Sequence, residues 1–169
     1  MNQLNTKRLI IEKATLNDAP FILKLFNSPN FIEYIGDRGL KTIKDSEEYI
    51  QNNLIDSYEK NGYGLFKMSL KENNEPVGIC GFVKRDTLAN ADIGFGILPE
   101  FERKGYTFEA SIAMMDYGKS NLNINPILAI TSNVNFKSQR LLNKIGLYEK
   151  WTIMLDEREV LLYSNEVDY

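Results

Sequence analysis

A chain of 169 residues, 43% hydrophobic and 25% charged, has enough apolar material for a full core and reads as one globular domain over residues 1–169. Its net charge of −3 argues against a binder of nucleic-acid phosphates, and its single cysteine excludes an internal disulfide and any Cys-rich metal site. The absence of histidine removes Ser-His and Cys-His catalysis and His-ligated zinc or non-haem iron, so a general base must be a carboxylate, a tyrosine, a lysine or an ordered water.

Taken in chain order, "RLIIEKA" (residues 8–14) reads as a strand, and Thr15 with Asp18 forms a capping-box start for a helix whose apolar face is Ile22, Leu25 and Phe26. Pro29 stops that helix. After the irregular "YIGDRGLKT", a second helix starts around Thr42 to Asp45, carries Tyr49, Ile50, Leu54 and Tyr58 at helical spacing, and ends at Asn61-Gly62. The period then falls to two. "GYGLFKMSL" and "EPVGICGFV" flank a turn at Asn73-Asn74, and "ADIGFGIL" follows the loop "KRDTLAN", giving an antiparallel meander in which Cys80 is a small core residue. A helix from about Lys104 to Leu122 is expected to bury Phe108, Ile112 and Met115, "PILAIT" is a short strand, and a helix over roughly residues 136–145 is closed by Gly146. "YEKWTIML" and "REVLLYS" make a last hairpin. The order β-α-α-β-β-β-α-β-α-β-β describes an α/β (α+β) domain, a mixed sheet with helices on its faces. The N-terminal "MNQLNTKRLIIEKA" lacks the apolar run of a signal peptide and no stretch is long enough to span a bilayer, so a cytoplasmic protein with neither nucleic acid nor membrane as partner is expected.

Three segments carry chemistry. In "FERKGYTFEA", Gly105 follows Arg103 and Lys104 and opens a helix, whose unpaired N–H groups and dipole attract anions; an ordinary turn gives the same local pattern. In "ADIGFGIL", Gly94 and Gly96 interrupt an alternating strand, which suits a bulge or the close approach of a ligand with amide groups pairing as an extra strand. In "NFKSQRLLNKIGL", Asn135 and Ser138 stand one turn apart at a helix start, which plain capping would also explain.

Together the three segments resemble the GNAT superfamily of acetyl-CoA-dependent N-acetyltransferases, most closely the branch containing ribosomal-protein N-terminal acetyltransferases. The resemblance runs from "TKRLIIEKAT" through "GFGILPEFERKGYTFEA" to "NVNFKSQRLLNKIGL". The family's phosphate-binding pattern [QR]-x-x-G-x-[GA] falls on residues 102–107; its glycine matches Gly105, whereas Glu102 and Thr107 depart from it. The N-x-x-S helix start matches at Asn135 and Ser138, and "LLNKIGL" resembles the usual "LLEKLGF".

The resemblance implies a seven-stranded, mostly antiparallel sheet with helices on both faces, and acetyl-CoA as cosubstrate with no metal. It places the pyrophosphate on Arg103, Lys104, Gly105, Tyr106 and Thr107, the pantetheine along Phe95, Gly96 and Ile97, and Asn135 and Ser138 beside the pantetheine and the thioester sulfur. The acceptor is an amine, on a small molecule or a protein N-terminus, attacking the thioester directly in a monomer or homodimer. Some relatives carry a carboxylate base where Asp92 stands; the alternative is a structural Asp paired with Arg85 or Arg38. The usual tyrosine acid falls on Leu142, which leaves Ser138 as the nearest hydroxyl. The acceptor pocket is expected between "FIEYIGDRGLKT" and "VKRDTLANAD", at Glu33, Asp37, Arg38 and Arg85, residues that a salt-bridge cluster would also account for. The alternative to an enzyme is a degenerate domain that binds acyl-CoA as a sensor or interaction module.

Overall fold

Leu9 and Ile11 are fully buried while Ile10 and Glu12 are only partly covered, the two-residue period of a strand with one face on a core. In the computed structural model, which describes residues 3–166, this is β2 (Leu9–Glu12), lying between the short edge strand β1 (Gln3–Asn5) and β3 (Leu65–Leu70), both antiparallel to it. β4 (Pro76–Val83) and β5 (Asp92–Ile97) continue the meander, β6 (Leu128–Thr131) joins β5 in parallel, and the hairpin of β7 (Tyr148–Leu155) and β8 (Arg158–Ser164) completes the order β1-β2-β3-β4-β5-β6-β8-β7. The sheet therefore has eight strands rather than seven, because "QLN" pairs as β1 without any apolar alternation to announce it. Residues 1–2 and 167–169 of the expected domain lie outside the described residues.

Helices cover both faces. Thr15 N–H donates to Asp18 Oδ2 at 2.8 Å, and one tight turn later α1 (Ala19–Phe26) runs over the sheet with Ile22, Leu25 and Phe26 buried. Pro29 ends the reach of α1 but also opens a further helix, α2 (Pro29–Tyr34), where the missing N–H of a first helical residue costs nothing. The expected second helix is α3 (Ile43–Tyr49) and α4 (Asp56–Asn61) joined by a π-helical turn, Ile50–Ile55; its start is the predicted box, with Asp45 N–H donating to Thr42 Oγ1 at 3.1 Å.

The opposite face is covered by α5 (Tyr106–Asn121), and here the expected apolar stripe holds at Met115 but fails at Phe108 and Ile112. Ala110, Ser111, Met114, Met115 and Gly118 are the buried positions, whereas Phe108 and Ile112 are 41% and 37% exposed. Small residues decide the rotation: Gly118 leaves the Phe82 ring room that a Cβ would occupy, and Ser111 Oγ lies 3.7 Å from the sulfur of buried Cys80. Pairing of Cys80 with Phe95 and of Phe82 with Ile93 puts those β5 side chains on the α5 face. Asp92, Gly94 and Gly96 alternate with them and occupy the other face, where Phe31 of α2 lies over Gly96. α6 (Phe136–Lys144) follows β6 and ends, as expected, at Gly146 with φ of +84°.

Candidate active site

β5 and β6 share a single register pair, Asp92 with Leu128. Past it β5 is paired only with β4, and a cleft of about 1330 Å³ opens along its free edge. Phe95 and Ile97 line one wall, and Ile130, Thr131, Ser132, Asn135 and Ser138 line the other. An extended, amide-bearing chain could occupy this edge as an additional strand.

One end of the cleft is the loop before α5. Gly105 adopts φ of +80° and Arg103 φ of +62°, which turn the chain sharply into the helix. Glu109 N–H is the first amide of α5 to close onto the main chain, at Gly105 O (3.1 Å), so the earlier amides of the first turn have no helical carbonyl to bind. Arg103, Gly105, Tyr106 and Thr107 all line the cleft. Lys104 does not: its ammonium sits 5.0 Å from the centre of the Phe101 ring and its carbonyl accepts from Arg8 Nη1 at 2.9 Å. Gly96 is likewise absent from the cleft wall, because it faces Phe31.

Two contacts at this end had no local sequence signal. Arg8 props the loop from behind, with Nε donating to Glu109 Oε2 at 2.7 Å and the guanidinium 4.5 Å from the centre of the Tyr106 ring. Glu102, where the family pattern has a glutamine or arginine, accepts from Asn30 Nδ2 of α2 and from Lys137 Nζ of α6 at 2.9 Å. Its charge is thus compensated by the chain itself and tied across the mouth of the cleft. Arg140 and Lys144 of α6 also line the wall, with the Lys144 ammonium 5.8 Å from the centre of the exposed Phe108 ring.

In the middle of the cleft, Asn135 Oδ1 accepts from the Ser138 main-chain N–H at 3.1 Å. Asn135 is therefore the helix cap, and the half-buried Ser138 hydroxyl is free for other work. Leu142, the position of the family tyrosine, is buried and lines the same wall.

Asp92 starts β5 on the α2 face and is 1% exposed. Arg85 Nε donates to its Oδ1 at 2.9 Å, one of the two partners anticipated for it. Burial pushes the Asp92 carboxyl up from its ordinary range, and the Arg85 charge opposes that. Burial also pushes the Tyr63 phenol up, with the Asp92 charge adding to it. Glu33, Asp37, Arg38 and Arg85 line this end together with Tyr49. Asp37 Oδ1 is engaged in its own turn, accepting from Gly39 N–H at 2.7 Å. The fourth segment to reach this end is the β7–β8 hairpin, whose Arg158 guanidinium lies over Gly36. Among the described residues no group of three or more Cys, Asp or Glu is placed to hold a metal ion.

The acetyltransferase (GNAT) domain family matches residues 8–148, most of the chain. The chain belongs to the GNAT family. Its sequence is 30% identical over 168 residues to the uncharacterized N-acetyltransferase YoaA of Bacillus subtilis, covering 98% of this chain and 91% of that one. Among solved structures, an acetyltransferase of Agrobacterium tumefaciens superposes with a TM-score of 0.83 at 22% identity, covering 97% of this chain and 94% of the other. RimL, a ribosomal α-N-protein acetyltransferase, superposes with a TM-score of 0.80 at 14% identity, over 96% and 93% of the two chains. The microcin C7 self-immunity acetyltransferase MccE, solved in complex with acetyl-CoA and AMP, gives 0.76 at 20% identity over 94% and 92%. These GNAT neighbours share the fold, including the ribosomal-protein branch named from the sequence. Among the described residues no helix is long and apolar enough to cross a membrane.

Proposed function

We propose that the protein transfers an acetyl group from acetyl-CoA to a primary amine, of a small molecule or a protein N-terminus, by direct attack. The observation that carries this reading is the opening of β5 from β6 beyond Asp92, with the Gly105 loop at one end and the Arg85–Asp92 pair at the other. The free edge of β5 at Phe95 to Ile97 suits the amides of a pantetheine arm, and the first turn of α5 with Arg103 suits a pyrophosphate. When bound, acetyl-CoA supplies the activated acyl thioester. MccE, bound to acetyl-CoA in the same fold, supports that choice of cosubstrate.

The chain's own residues would then do three things. The main-chain N–H groups of β5 that lack a strand partner polarise the acyl oxygen where negative charge develops. Asp92 receives the amine's proton, directly or through a water; a buried carboxyl raised above its ordinary range is a better match to an ammonium than an exposed one. The α-amino group of a peptide N-terminus, with its pKa of roughly 7.7 to 8.0, demands less of this base than a lysine amine at about 10.4. In this reading the Ser138 hydroxyl, released from capping by Asn135, protonates the departing thiolate.

Each of these residues belongs to one chain, so a monomer or a homodimer would serve, and a cytoplasmic location suits an acetyl-CoA consumer. The test is thiol release from acetyl-CoA against small amines, N-terminal peptides and aminoglycosides. Acetylated product with any of them supports the enzyme; thermal stabilisation by acetyl-CoA with no product on any acceptor would instead make the domain an acyl-CoA sensor.

A further inference from the structure

We propose that the acceptor is a free α-amino acid, its carboxylate held by Arg38, Arg85 and Arg158; this rests on the acetyltransferase reading above and names the substrate of the same site. The three arginines come from separate segments, the α2–α3 loop, the β4–β5 loop and the start of β8, and all three line one end of the cleft. Their pairing is incomplete. Arg85 spends Nε on Asp92 at 2.9 Å, whereas Arg38 and Arg158 have no ion-pair partner among the described residues. The Arg158 guanidinium lies against Gly36, two residues before Arg38: a Cβ at Gly36 would stand 3.1 Å from Arg158 Nη1. Arg38 and Arg158 thus present guanidinium donors that no carboxylate among the described residues accepts, and a ligand anion could take them.

The local acids do not supply it. Asp37 is turned onto Gly39 N–H, and Asp156 and Glu159 make no ion pair with Arg158 although they flank it and line the same end. The Tyr49 hydroxyl also has no hydrogen-bond partner among the described residues. Burial pushes its phenol up while the charges of Arg38 and Arg85 oppose this, so it stands as a neutral donor beside both arginines. A carboxylate takes a guanidinium fork and a phenol together.

The α-amino arrangement follows from Asp92. Its negative charge and the positive charge of Arg85 are one hydrogen bond apart at the start of β5, the complement of an ammonium and a carboxylate on neighbouring atoms. Gly94 and Gly96 share the β5 face of Asp92, and Leu65 and Phe31 close over them, 3.3 Å from where a Cβ would stand, so the acceptor's own side chain would lie elsewhere in the cleft. The amine would then meet Asp92 and the acyl group on β5, with the carboxylate turned to the arginines.

The experiment compares leucine, phenylalanine and glutamate, each with its own α-carboxamide, in acetyl-CoA-dependent thiol release by the full chain. The carboxamide's amino group is the less protonated at neutral pH, so without the arginines the carboxamide should be the better acceptor. The expected result is a preference for the acid of about 10-fold or more in kcat/KM, carried by KM, as charge-assisted bonds to a carboxylate would give. In Arg38→Gln or Arg158→Gln, both exposed positions, the acid-to-carboxamide ratio should fall toward one, with partial recovery in Arg38→Lys. Equal or better turnover of the carboxamides overturns the proposal, as does product only with N-terminal peptides, an outcome that leaves the acetyltransferase reading standing. If no amine is acetylated, calorimetric titration of leucine into the protein with coenzyme A decides: absence of binding that weakens in Arg38→Gln overturns it. Failure to bind acetyl-CoA would sink the underlying reading as well, and the same titration reports that separately.

Discussion

The two ends of the cleft are built differently. At the end proposed for the coenzyme the groups turned inward are largely main chain: the unpaired edge of β5, and the amides of a loop shaped by Gly105 and buttressed from outside by Arg8 and Glu109. At the end proposed for the acceptor they are side chains, Asp92, Arg85, Arg38, Tyr49 and Arg158, delivered by four separate stretches of chain. Main-chain recognition tolerates changes of side chain, which is why Glu102 and Thr107 can depart from the family pattern while the loop keeps its shape. Side-chain recognition does not, so under the proposed assignment specificity for the acceptor would reside at that end.

Five substitutions would break or sharpen that contrast. The largest effect is expected at Gly105→Val. A β-branched residue at φ of +80° is strained, and its Cβ would stand 3.3 Å from Arg8 Nη2, so acetyl-CoA affinity measured by calorimetry should fall about 100-fold. Unchanged affinity would remove the anion site from this loop. At the other end, Asp92→Asn should lower kcat/KM by about 100-fold below neutral pH and by less as pH approaches the acceptor's own pKa. The sign follows from the carboxyl being raised: it must be ionised to take a proton, so wild-type activity falls as pH drops through its value, while rising pH supplies neutral amine that needs no base. A loss uniform across the pH–rate profile would restrict Asp92 to holding Arg85.

Between the ends, Ser138→Ala should reduce kcat about 10-fold with little change in coenzyme affinity, because a bond to the departing sulfur strengthens only in the transition state. The cap itself lies elsewhere: Asn135→Ala should lower stability by about 1 kcal/mol in denaturant titration, and Ser138→Ala by less. The smallest effect is expected at Glu102→Ala, which frees Asn30 and Lys137 and should leave coenzyme affinity within about threefold, the scale of a partly exposed ion pair. A tenfold change would mean that the tie between α2 and α6 sets the width of the cleft.

Much of this was legible in the sequence, and the boundary has a physical cause. Strands β2 to β8 read as alternating or short apolar runs, Gly105 and Gly146 mark left-handed turns, and Thr42 with Asp45 announces a helix, all signals carried by neighbours in the chain. β1 was missed because an edge strand of "QLN" needs only a partner, not an apolar face. The buried side of α5 was misjudged because bulk was weighed over fit: Gly118 and Ser111 face the sheet because they are small. Asn135, Ser138 and the Gly105 loop, all of which line the cleft, were singled out from local spacing. Arg8, Tyr49 and Arg158 were not, since each reaches the cleft or its loop only through contacts between distant segments.

Cys80 bears on how any of this can be measured. It is fully buried between β4 and α5, is the only cysteine of the chain, and desolvation holds its thiol up to about 12 despite the Ser111 contact. A thiol-reactive dye added during turnover should therefore see free coenzyme A and nothing of the folded protein, giving a continuous readout with a silent background. The same silence makes a cysteine introduced on the β7–β8 hairpin a unique attachment point for a fluorophore, from which arrival of an acceptor beside Arg158 could be followed without first removing a native thiol.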